Sequence, residues 1–428
     1  MSGADATAPG AARLRVDGAR IMRRIAALAR LTEPDRPYTR RAFTDLYLEG
    51  REWLEGEFRQ AGLDPRLDAG ANLVGERPGR RPGLGALTLG SHTDTVPGGG
   101  RFDGIAGVVC ALEVAQVLNE SGVRLEHPLR VVDFLSEEPS DYGASCVGSR
   151  AMVGTLTPAM LAKANAEGEP LADAIARMGG RPAELTRPLV APGEVAAFLE
   201  LHIEQGPVLE SRGLPIGVVG GIVGIQRFQV VVTGAAGHAG TLPMDMRADA
   251  LVGAARFSDL VWREAQAQAA ELPFVATIGK FDVYPNGANV VPGRVELVLE
   301  ARSLRDDVTA AFLERVIGMG RRECEALRLA FDAEPLSSAP AVVCDPAVRE
   351  ALVDACRARG HGFVEMNSGA GHDAMQVAAV APVGMVFVPC RGGISHNPAE
   401  EAQESDLVAG AEVLLDAVLA LDQRLGEG

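Results

Sequence analysis

The sequence predicts an α/β protein built on a mainly parallel, mixed sheet with helices on both faces, interrupted by an inserted α+β domain. Three observations carry this prediction. First, ALTLGSH (86–92), LRVVDFLS (129–136) and FLELHI (198–203) are short, nearly continuous apolar runs. Strands of that kind suit a sheet covered on both faces. Second, segments of helical periodicity separate them, so strand and helix alternate. Third, the middle of the chain changes character. RFQVVVTG, a helix over 245–269, FVATIGKFDV, RVELVLEARS, a helix over 307–327 and LRLAFDAE give the order βαββαβ, a ferredoxin-like arrangement.

Taken in order, the chain becomes helical from Arg13, enters its first buried strand at 86–92, and shows helical periodicity over 103–119. The strands at 129–136 and 198–203 follow. The insertion is expected from Gly213 to Asp332, leaving a discontinuous outer domain of residues 1–212 and 333–428. After it come a helix over 346–359, the GHDAM segment, the strand VGMVFVP, the SHNPAE loop and a closing helix over 405–425. In sheets of this type ligands gather beyond the carboxyl ends of the strands.

Composition narrows the function. A chain of 428 residues is long for one core, in line with two domains. A net charge of −16 argues against nucleic acid or an anionic membrane surface as partner. The start, MSGADATAPGAARLR, lacks an apolar core, so no secretory signal is expected, and the residues up to Gly10 are expected to be disordered. No apolar run approaches membrane-spanning length. Cys110, Cys146, Cys324, Cys344, Cys356 and Cys390 lie far apart with no CxxC pair, as expected of reduced thiols in a cytoplasmic protein. Cys146 sits near an acidic pair but has no basic partner in sequence, so it reads as a core thiol.

The chemistry-bearing residues fall mostly where strands end. They are His92 in GSHTDTVPGG, Asp103 in RFDGIAG, Glu137 and Glu138 in FLSEEPS, His202 in LHIEQG and His396 in GISHNPAE. Three imidazoles and two carboxylates form a ligand set suited to zinc, manganese or cobalt. One adjacent glutamate is left over as a base. The combination reads as a two-metal hydrolase, because paired cations activate water and polarise a carbonyl together. Asp94, two residues after His92, reads either as the acceptor of that imidazole's second N–H or as a turn former. By composition alone Arg302 is a strand-end surface charge and Asn289 a turn residue. His127 and His361 read as surface residues.

As a set, HTDTVPGGGRFDG, SEEPSDYGASCVGSR, LHIEQGPVLE, GAAGHAG, NVVPGRVELVLEARS, SGAGHDAM and GGISHNPAE resemble the M20 metallopeptidase clan. More closely they resemble its hydantoinase/carbamoylase branch, which includes N-carbamoyl-L-amino acid hydrolases and allantoate and ureidoglycolate amidohydrolases. The resemblance runs from about His92 to Glu401. It implies a Zn-peptidase-like catalytic domain and an inserted lid that pairs with its twin in a homodimer. It also implies two divalent metal ions per subunit: Asp103 would bridge them, His92 and His202 completing one site, Glu138 and His396 the other. Glu137 would be the general base and His238, in GHAG, would hydrogen-bond the oxyanion. Asn289 and Arg302 would hold a substrate carboxylate, Gln205 would line the pocket, and His372 would lie near it. The implied activity is hydrolysis of a linear amide or ureido C–N bond in a small acid, most closely an N-carbamoyl-L-amino acid. Ureidoglycolate or allantoate, and then an aminopeptidase or aminoacylase activity, are the alternatives. EEPSDYG carries Asp141 where members of the branch often carry Arg or another residue, which bears on the substrate rather than on the metals.

Overall fold

The computed structural model describes residues 13–426, so the stretch up to Gly10 expected to be disordered lies outside the described residues. The strands of four residues or more are, in chain order, β1 (Asp64–Leu67), β2 (Leu73–Arg77), β3 (Ala86–His92), β4 (Leu129–Phe134), β5 (Val195–Ile203), β6 (Ile216–Ile222), β7 (Gly224–Thr233), β8 (Phe274–Tyr284), β9 (Arg294–Ser303), β10 (Ala330–Ala339), β11 (Phe363–Ser368) and β12 (Val383–Val388). The chain divides into two compact units. Among the described residues the first holds 13–220, 344–366 and 372–426, and the second 221–343 with 367–371.

The first unit is organised by a sheet of order β1-β2-β4-β3-β5-β12-β6, with β11 also beside β6. Its centre, β4-β3-β5-β12, is parallel. Its flanks are antiparallel, β2 against β4 and β6 against β12. Every residue of β3, β4 and β12 is buried. Such strands need apolar cover on both faces, which is why their sequences run apolar without alternation. The helix Ile105–Glu120 lies against β3 and β5 and is itself almost wholly buried. Burying one of its leucines contributes roughly 1.5–3 kcal/mol. Its one buried acid, Glu113, accepts from Arg20 at 2.6 Å and from the Asp17 N–H at 2.8 Å, tying it to the helix Gly18–Arg30. The helix Pro346–Arg359 starts where the sequence places it, with Pro346 at its first position and Asp345 accepting the N–H of Ala347 at 2.8 Å.

The second unit is a four-stranded antiparallel sheet of order β10-β7-β9-β8 with the helices Ala250–Ala269 and Asp306–Ala326. In β9 burial alternates strictly: Val295, Leu297, Leu299, Ala301 and Ser303 are buried, and the residues between them are not. The buried set packs with Phe257, Phe312 and Val316 of the helices, so helices cover one face of this sheet.

The sequence boundaries at Gly213 and Asp332 need correction. The run IGVVGGI after Gly213 becomes β6, which pairs antiparallel with β12 in the large sheet, and β10 continues past Asp332 to Ala339. The physical reason is burial. β6 is apolar throughout and finds cover in the first unit, whereas 333–339 extends a ladder already formed with β7.

Candidate active site

The parallel centre of the first unit brings four strand ends to one edge. His92 is the last residue of β3, Glu137 and Glu138 lie three and four residues past β4, His202 is the penultimate residue of β5, and His396 follows β12. Asp103 sits just before the helix Ile105–Glu120.

Two ligand groups result, His92 with Asp103 and His202, and Asp103 with Glu138 and His396. They share Asp103 through different oxygens. Its Oδ1 lies 3.3 Å from His202 Nε2 and 3.7 Å from His92 Nε2. Its Oδ2 lies 3.4 Å from His396 Nε2, which is 3.0 Å from Glu138 Oε1. Donors around one tetrahedral cation with bonds of about 2.0–2.2 Å stand roughly 3.3–3.6 Å apart, so the spacing fits. The imidazoles are also turned correctly. His92 Nδ1 faces the carbonyl of Asp94 at 3.1 Å, and His202 Nδ1 faces that of Ile203 at 2.9 Å. Each Nδ1–H is thereby engaged, leaving Nε2 as the donor to a cation.

Tight packing holds this geometry. Gly104, at φ +65°, follows the shared aspartate, and a Cβ there would sit 2.3 Å from His92 Nε2. Only glycine fits both the backbone and the space. Gly100 is constrained likewise, because a Cβ would fall 1.9 Å from the Glu400 carboxylate. Glu400 accepts the backbone N–H of Phe102 at 2.7 Å and of Asp103 at 3.1 Å, and Ser395 donates to Asp103 Oδ2 at 2.6 Å. The loop that carries His396 therefore also braces Asp103. Burial, then Asp103, pushes the Glu400 carboxyl up to about 7. Asp103 and Glu138 hold His396 at about 10.

Asp94 departs from expectation in detail. Its carboxylate is 3.5 Å from His92 Nδ1, farther than its own carbonyl, and instead accepts the N–H of Glu137 at 3.1 Å and of Glu138 at 3.2 Å. It organises the acidic pair, and orients His92 mainly through its backbone. Glu137 Oε2 lies 3.7 Å from His92 Nε2. Burial drives the Glu137 carboxyl well above the usual range, Glu138, Asp373 and Asp94 adding to the effect and His92 opposing it. Glu137 is thereby a better proton acceptor than an exposed glutamate.

Gln205 donates from Nε2 to Asp103 Oδ2 at 2.7 Å, while its buried Oε1 has no hydrogen-bond partner. His372 is buried with its ring centroid 4.5 Å from that of His202, and burial, then His202, holds it well below the ordinary histidine range. Asp141 is ion-paired with Arg41, and both border a cavity of about 100 Å³ that reaches Asp94 and Glu138.

His238, Asn289 and Arg302 belong to the second unit. His238 is exposed, accepts the Gly240 N–H at 3.0 Å, and is joined to Asn289 through the Ala239 N–H on the Asn289 carbonyl at 2.9 Å. Arg302 is near the end of β9, its Nε on Glu300 at 2.7 Å and its Nη1 on the Gly369 carbonyl at 2.6 Å. Its guanidinium is thus already engaged at two of its nitrogens.

Sequence reasoning missed Glu400 and Ser395, although SHNPAE contains both. It also misplaced His127, which is buried and lies 3.0 Å from Asp422 rather than on the surface. His361 is half-buried, 3.6 Å from Glu412. All six cysteines are buried and free. Among the described residues no helix is long and apolar enough to cross a membrane.

The chain is 38% identical over 409 residues to an N-carbamoyl-L-amino acid amidohydrolase of Geobacillus stearothermophilus, covering 95% of this chain and 99% of that one. It is 32% identical to a ureidoglycolate hydrolase of Oryza sativa subsp. japonica, covering 96% and 86%. A crystal structure of an amidase of the hydantoinase/carbamoylase family from Burkholderia multivorans superposes with a TM-score of 0.87 at 36% identity, over 95% of this chain and 98% of that one. Peptidase family M20/M25/M40 matches residues 88–420, a span that contains every candidate ligand from His92 to His396. The chain belongs to that family.

Proposed function

We propose that this protein hydrolyses the linear C–N bond of a small ureido or amide acid, with an N-carbamoyl-L-amino acid as the substrate class. The observation that carries the proposal is the sharing of Asp103 between two ligand groups through its two oxygens, with the Glu137 carboxylate alongside. Similarity to the Geobacillus stearothermophilus amidohydrolase favours the carbamoyl substrate, and similarity to the rice ureidoglycolate hydrolase supports ureidoglycolate as a second reading, with allantoate beside it through a 33% identical allantoate deiminase of Arabidopsis thaliana.

Two divalent cations, zinc, manganese or cobalt, held by these groups would supply an activated water and a polarised carbonyl. Glu137 takes the proton from the attacking water as its oxygen bonds to the carbonyl carbon. When the C–N bond breaks, its electron pair stays with nitrogen, and Glu137 returns the proton there. Glu138 serves as ligand, because it shares a ligand group with Asp103 and His396 while Glu137 belongs to neither group. His238 stabilises the oxyanion. Asn289 and Arg302 bind the substrate carboxylate, and Gln205 and His372 line the pocket. The roles of His238, Asn289 and Arg302 rest on their motifs. Homodimerisation through the second unit is proposed from its two edge strands, where Val275 of β8 and, on the opposite edge, Leu336 of β10 lie exposed. Light scattering on the purified chain tests it. The buried free thiols support a reducing, cytoplasmic location, which cell fractionation tests.

The proposal is tested with two variants and a substrate panel. Glu137→Gln is expected to keep its metal while kcat falls by roughly two or more orders of magnitude. Glu138→Ala is expected to lower metal content measured by elemental analysis. Near-normal turnover by Glu137→Gln contradicts the assignment. Carbamoyl amino acids, ureidoglycolate, allantoate and dipeptides assayed side by side decide the substrate.

A further inference from the structure

We propose that Cys146 is a positioning residue, its thiol donating to Glu137 Oε1 and so aiming the other oxygen of that carboxylate at the reacting water. This rests on the reading of Glu137 as the base.

The segment between β4 and the helix Val147–Val153 is a closed loop. Gly148 N–H donates to the Leu135 carbonyl at 2.8 Å, Val147 N–H to Ser136 at 2.9 Å and Cys146 N–H to Glu137 at 2.8 Å. This zipper fixes the backbone of Glu137, but a glutamate still has three side-chain torsions free. Two contacts restrain its carboxylate. Oε2 lies 3.7 Å from His92 Nε2, on the side of the ligand groups, and Oε1 lies 3.4 Å from Cys146 Sγ. The thiol therefore holds the oxygen that does not face the ligands.

Cys146 has the chemistry this needs. It is buried, and burial, followed by the charge of Glu137, pushes its thiol well above the ordinary range, so it remains an S–H donor. A thiolate there would repel the carboxylate. The backbone adds an independent observation. Cys146 has φ +52°, a conformation that glycine adopts freely and that costs any residue with a Cβ. Glycine would satisfy the loop, yet a side chain is present, and its sulfur reaches the base. Tight packing alone would account for a small apolar residue but not for a donor directed at Glu137.

The test separates a donor from a filler. Cys146→Ala and Cys146→Gly both remove the thiol, and Cys146→Gly also relieves the backbone, so one folds even if the other does not. Cys146→Ser keeps a donor. S–H is a weak donor, and a hydrogen bond is worth about 0.5–1.5 kcal/mol net, so kcat is expected to fall roughly two- to twelvefold in the Ala and Gly variants. KM and metal content are expected to stay at wild-type values, and Cys146→Ser to recover most of kcat. In a Glu137→Gln background Cys146→Ala is expected to add no further loss. Wild-type kcat in both the Ala and Gly variants overturns the inference, as does a Ser variant that falls as far as Ala. If Glu137→Gln alone keeps turnover, the reading of the base fails and takes this inference with it. If Glu137→Gln is inactive while the cysteine variants are unaffected, the base stands and only the role of Cys146 fails.

Discussion

The two units solve the same problem, burying a sheet, in opposite ways. In the first, β3, β4 and β12 are buried at every position and parallel, so their carboxyl ends reach one edge together. In the second, β9 alternates buried and mostly half-buried residues, and helices cover one face. The difference teaches where rigid chemistry can be built. A fully enclosed parallel centre brings its strand ends together, and the donor atoms at that edge stand 3.0–3.7 Å apart. An antiparallel sheet with an open face offers side chains such as Arg302 and Glu300 on a surface.

The sharpest way to break the comparison is to add one methyl at the enclosed edge. Gly104→Ala places a Cβ against His92 Nε2 in a backbone conformation alanine disfavours, so the His92–Asp103–His202 group should lose cation binding by about 100-fold or more. Calorimetric titration with manganese measures it, and unchanged affinity would show that the edge is more yielding than the structure implies.

On the less enclosed sheet of the second unit the expected effect depends on the substrate. Arg302→Ala should lower kcat/KM for a free-acid substrate by about 2–5 kcal/mol equivalent, with Arg302→Lys intermediate, because lysine cannot supply a planar fork. An amidated substrate should be handled nearly alike by wild type and variant. Equal losses on both substrates would mean that Arg302, held by Glu300 and the Gly369 carbonyl, serves structure alone.

The smallest effects test the burial pattern itself. In β4, Val131 and Val132 are adjacent and both buried. Val131→Thr and Val132→Thr should each cost about 1–3 kcal/mol, since each buries a hydroxyl. In β9, Val295→Thr should cost as much, but half-buried Val298→Thr only about 0.5 kcal/mol or less. Thermal melts decide this, and equal costs at 295 and 298 would remove the distinction between the units.

The same contrast explains what the sequence disclosed. Continuous apolar runs announced β3, β4 and β5, and His92, the pair Glu137 and Glu138, and His202 stand at or just past their ends, whereas Asp103 and His396 were singled out by residue type and motif. The βαββαβ order of the second unit was equally plain, because its strand and helix segments follow one another in that order along the chain. Partners set by contacts distant in sequence were not legible. β6 joins the large sheet by pairing with β12, more than 160 residues later. Glu400 reads as a loop charge until it is seen to accept the N–H of Asp103, and His127 as a surface residue until Asp422 is placed beside it. Arg302 shows the converse, since its motif was legible while its engagement by Glu300 was not.

The central claim is that Asp103 serves two ligand groups at once, and metal stoichiometry tests it most directly. Elemental analysis of wild type, His202→Ala, His396→Ala and Asp103→Ala after manganese loading and desalting should give about two equivalents, about one, about one and close to none, since a bridging ligand belongs to both groups. An Asp103→Ala protein that folds and still retains one full equivalent would contradict the account.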